Sequence, residues 1–283
     1  MKILLLPLLG LFMYTGLTAQ DGIVLRMKYL PEHIYEVTTI TQMLMEMNME
    51  SGEGFPGGEY ELPEGPLLMQ MDQWVVGTIN TGKTAENGNI PLQMHLDQKT
   101  KVATPYLEMG ELPQEEAMQF SMAGYAESNG VVRILTVEGV ELPEEAMEAV
   151  SELISNISTQ VQFPDQPLRI GDSFTQEIPF NLPLDEMGVM NMFIVADYTL
   201  VDIDGHLAML EVVQTLEMDA SEMGFTIRAT GGGSGTLTLD TSLEYVTASR
   251  ILFTMEMILD MGEMRMTNAM ESEIIQSVEI TKL

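Results

Sequence analysis

Residues 33–50 read HIYEVTTITQMLMEMNME, and apolar and polar side chains alternate through this segment. The odd positions from Tyr35 to Met49 carry tyrosine, valine, threonine and methionine, whereas most of the even positions are polar. A period of two with β-branched residues is typical of a β-strand that has one buried face. The part from 33 to 49 would be about 55 Å long at ~3.3 Å per residue, roughly three times the usual length of a strand. We therefore expect this strand to curve, to contain a bulge or to pass from one sheet into another.

The same alternation recurs along the rest of the chain, with turn signals between the runs. Asn87-Gly88, Asn129-Gly130 and Asp204-Gly205 favour tight hairpins, because both central positions of such turns adopt positive φ. Long strands joined in this way predict an antiparallel meander that forms a curved sheet or half-barrel. Besides 33–49, the predicted strands are 24–29, 67–80, 90–97, 119–126, 131–138, 173–178, 190–201, 207–218, 225–239, 243–260 and 263–280.

One segment follows a helical period instead. Met147, Val150, Ile154 and Ile157 recur at spacings of three and four residues, which places them in one stripe of a helix over about 143–158. Pro143 suits the first turn of that helix. The predicted fold class is therefore mainly β, or β-rich α+β, with one principal helix packed on the sheet.

The chain begins with MKILLLPLLGLFMYTGLTAQ, which has a positive residue, an apolar run and small residues up to Ala19. This layout is typical of a signal peptide over 1–19, and we expect extracytoplasmic localisation, periplasmic or secreted, after cleavage near Ala19. The apolar run is too short for a transmembrane helix, and no later run is long enough. The remainder divides into an N-terminal β half at 20–160, which includes the helix, and a C-terminal β meander at 161–283. A single continuous domain is the alternative.

Charge and cysteine content narrow the functional classes. The chain has 283 residues, 43 Asp plus Glu, 12 Lys plus Arg, a formal net charge of −31 and no cysteine. Such acidity argues against a nucleic-acid partner, since phosphate contacts need clustered basic residues. The absence of cysteine excludes disulfides, thiolate metal sites and a cysteine nucleophile. We find no Gly-x-Ser-x-Gly elbow either, so the interpretation is a non-enzymatic protein without a cofactor.

Methionine is unusually frequent, with 26 residues in the chain. On a strand, Met-x-Met places both thioethers on one face. Methionine fills ordinary cores and also lines adaptable binding surfaces. Our leading interpretation is a binding or carrier module that holds a lipid or other hydrophobic small molecule on a concave, methionine-lined face. The candidate ligand-binding residues are Met43, Met45, Met47, Met192, Met255, Met257, Met264 and Met266.

Two other functions stay open at this point. Thioethers are soft ligands that select Cu(I), so the first alternative is an extracytoplasmic Cu(I)-handling protein. Met94 stands next to His95, which adds an imidazole to the thioether set. The copper candidates are Met43, Met45, Met47, Met94 and His95. The second alternative is a structural or interaction protein with a filled core.

The segment FPDQPLRIGDSF at 163–174 carries a family resemblance. It resembles the FPD-x-P-x-x-x-GDSW segment of a family of uncharacterised secreted β-rich bacterial proteins, with Phe174 where tryptophan is usual. In that family an Asn-Gly pair and a helix precede the segment and a long meander follows it, as they do here. The general layout is similar to the LolA-like lipoprotein carriers, which have a curved antiparallel sheet with a helical cover. The resemblance implies a secreted β-rich fold and carries over no functional residues.

Overall fold

The computed structural model describes residues 22–51, 65–104, 115–128, 130–139, 161–183, 189–222, 225–260 and 264–283. The signal segment and the helix predicted over 143–158 lie outside these ranges, and the described residues contain no helix. Eleven strands in these ranges form one antiparallel sheet. They are β1 (His33–Ser51), β2 (Leu67–Thr81), β3 (Ile90–Ala103), β4 (Glu115–Ala126), β5 (Val132–Glu138), β6 (Ser173–Pro183), β7 (Val189–Asp204), β8 (Leu207–Glu222), β9 (Phe225–Asp240), β10 (Tyr245–Asp260) and β11 (Met264–Lys282).

The strand order is β5-β4-β3-β2-β1-β11-β10-β9-β8-β7-β6. Strands that are adjacent in the sheet are also consecutive in sequence, except at the middle, where β1 pairs with β11 and joins the two halves of the sequence. The sheet is curved and unclosed, and β5 and β6 are its edges. The edge strand β5 has only 7 residues, and β6 carries Pro179 and Pro183. Both features discourage pairing with another chain.

The long strand β1 is regular along its whole length. Its register with β11 runs from His33↔Lys282 to Ser51↔Met264 without a shift, and its register with β2 is equally continuous. Of the three outcomes expected for so long a strand, the structure shows curvature. Bulges occur in other strands, for example in β10 between Val246 and Ala248.

Observed strands extend past several predicted ends, most of all in β3. We predicted 90–97, and the strand spans Ile90–Ala103. The extension reads QKTKVA, which lacks a clear apolar phase, but it pairs with β2 up to Ala103↔Gln70. A strand inside a sheet continues as long as its partner does, so its own pattern understates its length.

Strict alternation gives the sheet two faces, which we name after Tyr35 and Leu44 of β1. One end of the Tyr35 face is the main core, with Tyr35, Leu200, Leu210 and Leu239 fully buried. The core consists of two clusters of buried residues, and Met27 packs against both. The segment around Met27 therefore crosses this end of the Tyr35 face and connects the two clusters.

The prediction of a strand over 24–29 is wrong. Apart from an isolated bridge at Ile23↔Leu168, this segment is not part of the sheet. Lys28 donates its backbone N–H to the carbonyl oxygen of Glu244, at 2.9 Å. Leu25 and Tyr29 are buried. The alternation in this segment reflects burial of every second side chain, and burial alone does not supply a neighbouring strand to pair with.

Aromatic rings pack against one another in both clusters of the core. Tyr35 lies 5.1 Å from Tyr29 and 4.9 Å from Tyr245, measured between ring centroids. In the other cluster, the ring of Phe174 stacks on that of Tyr198, with 4.9 Å between the ring centroids. Burial raises the pKa of Tyr35 to about 12 and that of Tyr198 to about 12, and it raises the pKa of Tyr245 well above its usual value.

We expect stability to fall at alkaline pH because of these phenols. A pKa raised in the folded state means that folding favours the neutral phenol, so the stabilisation is complete below about pH 10 and is lost as the pH rises toward about 12. Urea denaturation at several pH values between about 7 and 12 measures this loss. Tyr198→Phe should keep the pH 7 stability within about 1 kcal/mol and reduce the alkaline loss. An identical alkaline loss in this variant would contradict the assignment to Tyr198.

Three alternate glycines of β9 allow a close approach of β9 to β10. A Cβ on Gly235 would lie 2.1 Å from the carbonyl oxygen of Arg250, and one on Gly231 would lie 2.7 Å from that of Thr254. A Cβ on Gly233 would lie 2.9 Å from Cδ2 of Phe253. Glycine in a strand permits this close approach, and glycines in strands are also a recurring source of sheet curvature.

Replacing Gly235 by alanine should destabilise the protein. The added methyl group would overlap backbone that cannot move independently, and overpacking of this kind costs about 1–3 kcal/mol. The free energy of unfolding from urea denaturation measures the effect. The matched control is Ser234→Ala, because Ser234 is the exposed neighbour on the opposite face. We expect less than about 0.5 kcal/mol for that control. Equal effects of the two changes would refute the steric explanation.

Candidate functional site

Methionines of four neighbouring strands lie side by side on the Tyr35 face. Met45 of β1 is opposite Met69 of β2 on one side and Met270 of β11 on the other, and Met270 is opposite Met255 of β10. Directly opposite residues have Cβ atoms about 4.5–5.5 Å apart. The four side chains therefore form a continuous row of thioethers across the centre of the sheet, and all four are half-buried.

Further methionines extend this row along the strands. Met43 is opposite Met71, and Met49 is opposite Met266. We call the resulting half-buried surface the methionine face. Its members are Met43, Met45, Met47, Met49, Met69, Met71, Met255, Met257, Met264, Met266 and Met270.

The structure brings seven of the eight candidate ligand residues together on the methionine face. The eighth, Met192, lies in β7, which is separated from β10 by β9 and β8. Sequence reasoning left Met69 and Met270 out of the candidate site, although they flank Met45 directly. Their positions in the apolar phase of two strands were visible, but their adjacency to Met45 depends on strand order.

Packing at the β9 side supports part of the methionine face. Met255 and Met257 pack against a small cluster formed by the buried residues Leu216 and Ala229. Gly231 stands opposite Met255. A Cβ on Gly231 would lie 3.3 Å from Cζ of Phe253, so glycine at this position makes room for the ring next to Met255.

One polar side chain interrupts the methionine face. Asn268 lies between Met47 of β1 and Met257 of β10 in the ladder. Its Oδ1 atom is buried and accepts no hydrogen bond from the part of the chain that the structure describes. A buried acceptor without a donor costs about 1–3 kcal/mol. A ligand with an N–H or O–H group could supply the missing donor.

The alternative copper residues do not converge. Met94 and His95 are consecutive in β3, so their side chains point to opposite faces. Met94 is buried in the core opposite Ile79, whereas His95 is exposed and its Nδ1 lies 3.0 Å from Oγ of Ser121. Met94 shares the row of Tyr35, which is about 26 Å along β1 from Met43 at ~3.3 Å per residue.

Nothing else in the described ranges or in the sequence assigns a site. No group of three or more His, Asp or Glu residues in those ranges is arranged to hold a metal ion. No helix in those ranges is long and apolar enough to cross a membrane. Neither a protein-family model nor a curated protein matches the chain.

Replacing Asn268 by leucine should stabilise the free protein. The change removes an unpaired buried acceptor and adds apolar surface to the methionine face, so we expect a gain of about 1 kcal/mol in the free energy of unfolding. Urea denaturation of the two proteins measures it. As a control, Asn48→Leu changes the same residue type in β1, where the side chain donates a hydrogen bond to Glu46. A loss of stability in the Asn268 variant would show that Asn268 is already satisfied.

Proposed function

We propose that this protein is an exported, non-enzymatic binding or carrier module for a hydrophobic small molecule, such as a lipid, held on the methionine face. The observation that carries the proposal is the row formed by Met69, Met45, Met270 and Met255. In a core that was simply filled, these central side chains would be fully buried, as Tyr35 is. They are half-buried instead, and contiguous apolar surface of this kind typically marks a binding site.

The chemistry of methionine suits such a ligand. The side chain is unbranched, polarizable and flexible, so a group of thioethers adapts to acyl chains or rings of different shape. Affinity then comes from many weak contacts, at about 25 cal/mol per Å² of apolar surface removed from water. Asn268 adds one polar contact, and it favours a ligand that has an apolar body and one hydrogen-bond donor.

Two further elements belong to this proposal. The likeness to LolA-like carriers suggests a half-barrel that holds its ligand against the sheet, and the open, curved sheet agrees with that comparison at the level of fold. The helix predicted over 143–158 would pack its apolar stripe on the sheet and cover part of the ligand. Both remain proposals.

Binding of the neutral probe N-phenyl-1-naphthylamine tests the function. We expect saturable fluorescence enhancement with the wild-type protein, and about 10-fold weaker binding for Met45→Gln/Met69→Gln, which makes the centre of the face polar. Met45→Leu/Met69→Leu keeps the apolar area and should bind within about 2-fold of wild type. Val213→Gln/Leu252→Gln is the control, since both residues are exposed on the Leu44 face. No binding by the wild-type protein, or equal weakening in the control, would overturn the proposal.

The same methionine row favours Cu(I) handling as a second candidate function. Two to four thioethers from adjacent strands are a suitable ligand set for Cu(I). Leucine keeps the apolar area but removes sulfur, so the Met45→Leu/Met69→Leu variant separates the two functions. A Cu(I) affinity that is present in the wild type and lost in this variant, with the hydrophobic probe unbound by either, would make copper the function.

Export is the part of the proposal that rests on the sequence of residues 1–20 alone. Intact mass of the protein recovered from a bacterial host with a secretion pathway tests it. We expect a chain that begins at Gln20 or within a few residues of it, in the periplasmic or secreted fraction. Full-length protein confined to the cytoplasm would contradict export and leave the methionine face untouched.

A further inference from the structure

A shallow groove with a volume of about 350 Å³ lies mainly on the Leu44 face, and its lining also includes Met255 and Met270 of the methionine row. It spans the central strands from β2 to β9, and its apolar lining includes Leu44, Leu68 and Ala269. Ala269 of β11 belongs to the lining, and its small side chain stands between two larger glutamates on the flanking strands. Leu44 is 48 % exposed, so the lining is open to an incoming molecule.

Three carboxylates surround this apolar lining. Glu46 of β1 and Glu256 of β10 are both directly opposite Ala269, one on each side. Glu271 is the next residue of β11 on the same face, and it is opposite Leu44. The three negative charges therefore lie around one small side chain, although like charges at neighbouring positions of a sheet repel one another.

Few cations of the described chain offset these charges. Among the described residues, the three glutamates have one hydrogen bond and no ion pair. The neutral amide Nδ2 of Asn48 donates that hydrogen bond to Oε1 of Glu46 at 3.3 Å. Arg250, on the same face, is paired instead with Glu273, through Nε and Oε1 at 2.6 Å. In a chain of net charge −31, the groove is therefore complementary to a positively charged ligand.

The geometry points to a ligand larger than a metal ion. Within the described ranges, no three acidic or histidine side chains are close enough together to hold one metal ion. Glu46 and Glu256 are separated by the whole of β11, so their backbones are about 10 Å apart at ~4.8 Å per strand. An organic cation can span this distance, with its charged group near the carboxylates and its apolar part on Leu44 and Leu68.

We infer that this groove binds a small organic cation: a primary amine carried on an apolar body. The amine donates charge-assisted hydrogen bonds to the carboxylates, and the apolar body covers the leucine side chains. Neither the amine nor the apolar body alone would give measurable affinity. Surface ion pairs contribute little in water, and the apolar area of the groove is small. The carboxylates and leucines that would contact this ligand lie on the opposite face from the methionine side chains, and the inference does not depend on the carrier function.

Fluorescence anisotropy with N-dansylcadaverine tests the inference, since this probe joins a primary amine to an apolar ring system. We expect saturable binding that weakens as salt increases, because salt screens the carboxylates. Two comparison molecules separate the contributions: dansylamide has the ring system without the amine, and spermidine has amines without the ring system. Both should bind at least 10-fold more weakly than the probe.

Matched charge variants locate the site. Glu46→Gln/Glu256→Gln should weaken probe binding at least 10-fold. Glu36→Gln/Glu279→Gln removes the same charge from two exposed glutamates that are opposite each other on the same face, and it should change binding less than 2-fold. Ala269→Leu fills the groove without changing the charge, and it should also weaken binding at least 10-fold.

Each remaining outcome overturns the inference. Equal weakening by the two glutamate pairs would show general attraction to an acidic protein, as would spermidine that binds as tightly as the probe. Unchanged binding by Ala269→Leu, or no binding by the wild type, would remove the groove as the site. Met45→Gln/Met69→Gln should leave this binding unchanged, so failure here and failure of the hydrophobic carrier function are distinguishable.

Discussion

The pairing of β1 with β11 connects the rest of the structure. These strands come from opposite ends of the described chain, and they pair along the full length from His33↔Lys282 to Ser51↔Met264. All other neighbouring strands are also neighbours in sequence, so this one ladder alone makes a single sheet from two meanders. Pairing these two strands closes a very long loop and therefore lowers the conformational entropy of the chain. Such non-local pairing also slows folding.

The register of that pairing creates both candidate sites. A shift of one residue would move every side chain of one strand to the other face. Met45 would then no longer be on the same face as Met270, and Glu46 would no longer be opposite Ala269. The methionine row and the acidic groove therefore both depend on the register of the same ladder, and they lie mainly on its two opposite faces.

The Tyr35 face changes character along its length. At one end, the segment around Met27 covers it and aromatic side chains pack in full burial. Toward the other end, methionines replace aromatic and branched residues, and the side chains are half-buried. The packed end gives the sheet its stability, whereas flexible, polarizable side chains at the other end preserve an adaptable apolar surface.

The sequence by itself determined the local structure of the sheet. Strict alternation in segments such as 33–49 identified the strands and their faces, and Asp204-Gly205 marked the turn between β7 and β8, because side-chain period and turn chemistry are local properties. The tertiary structure alone decided that β1 lies beside β11, that Met69 and Met270 flank Met45, and that 24–29 crosses the sheet instead of joining it. It also decided that Met94 and His95 stay apart from Met43 and that Glu46, Glu256 and Glu271 meet around Ala269. These outcomes depend on which strands become neighbours, and strand order follows from burial summed over the whole sheet, which no single segment of the chain contains.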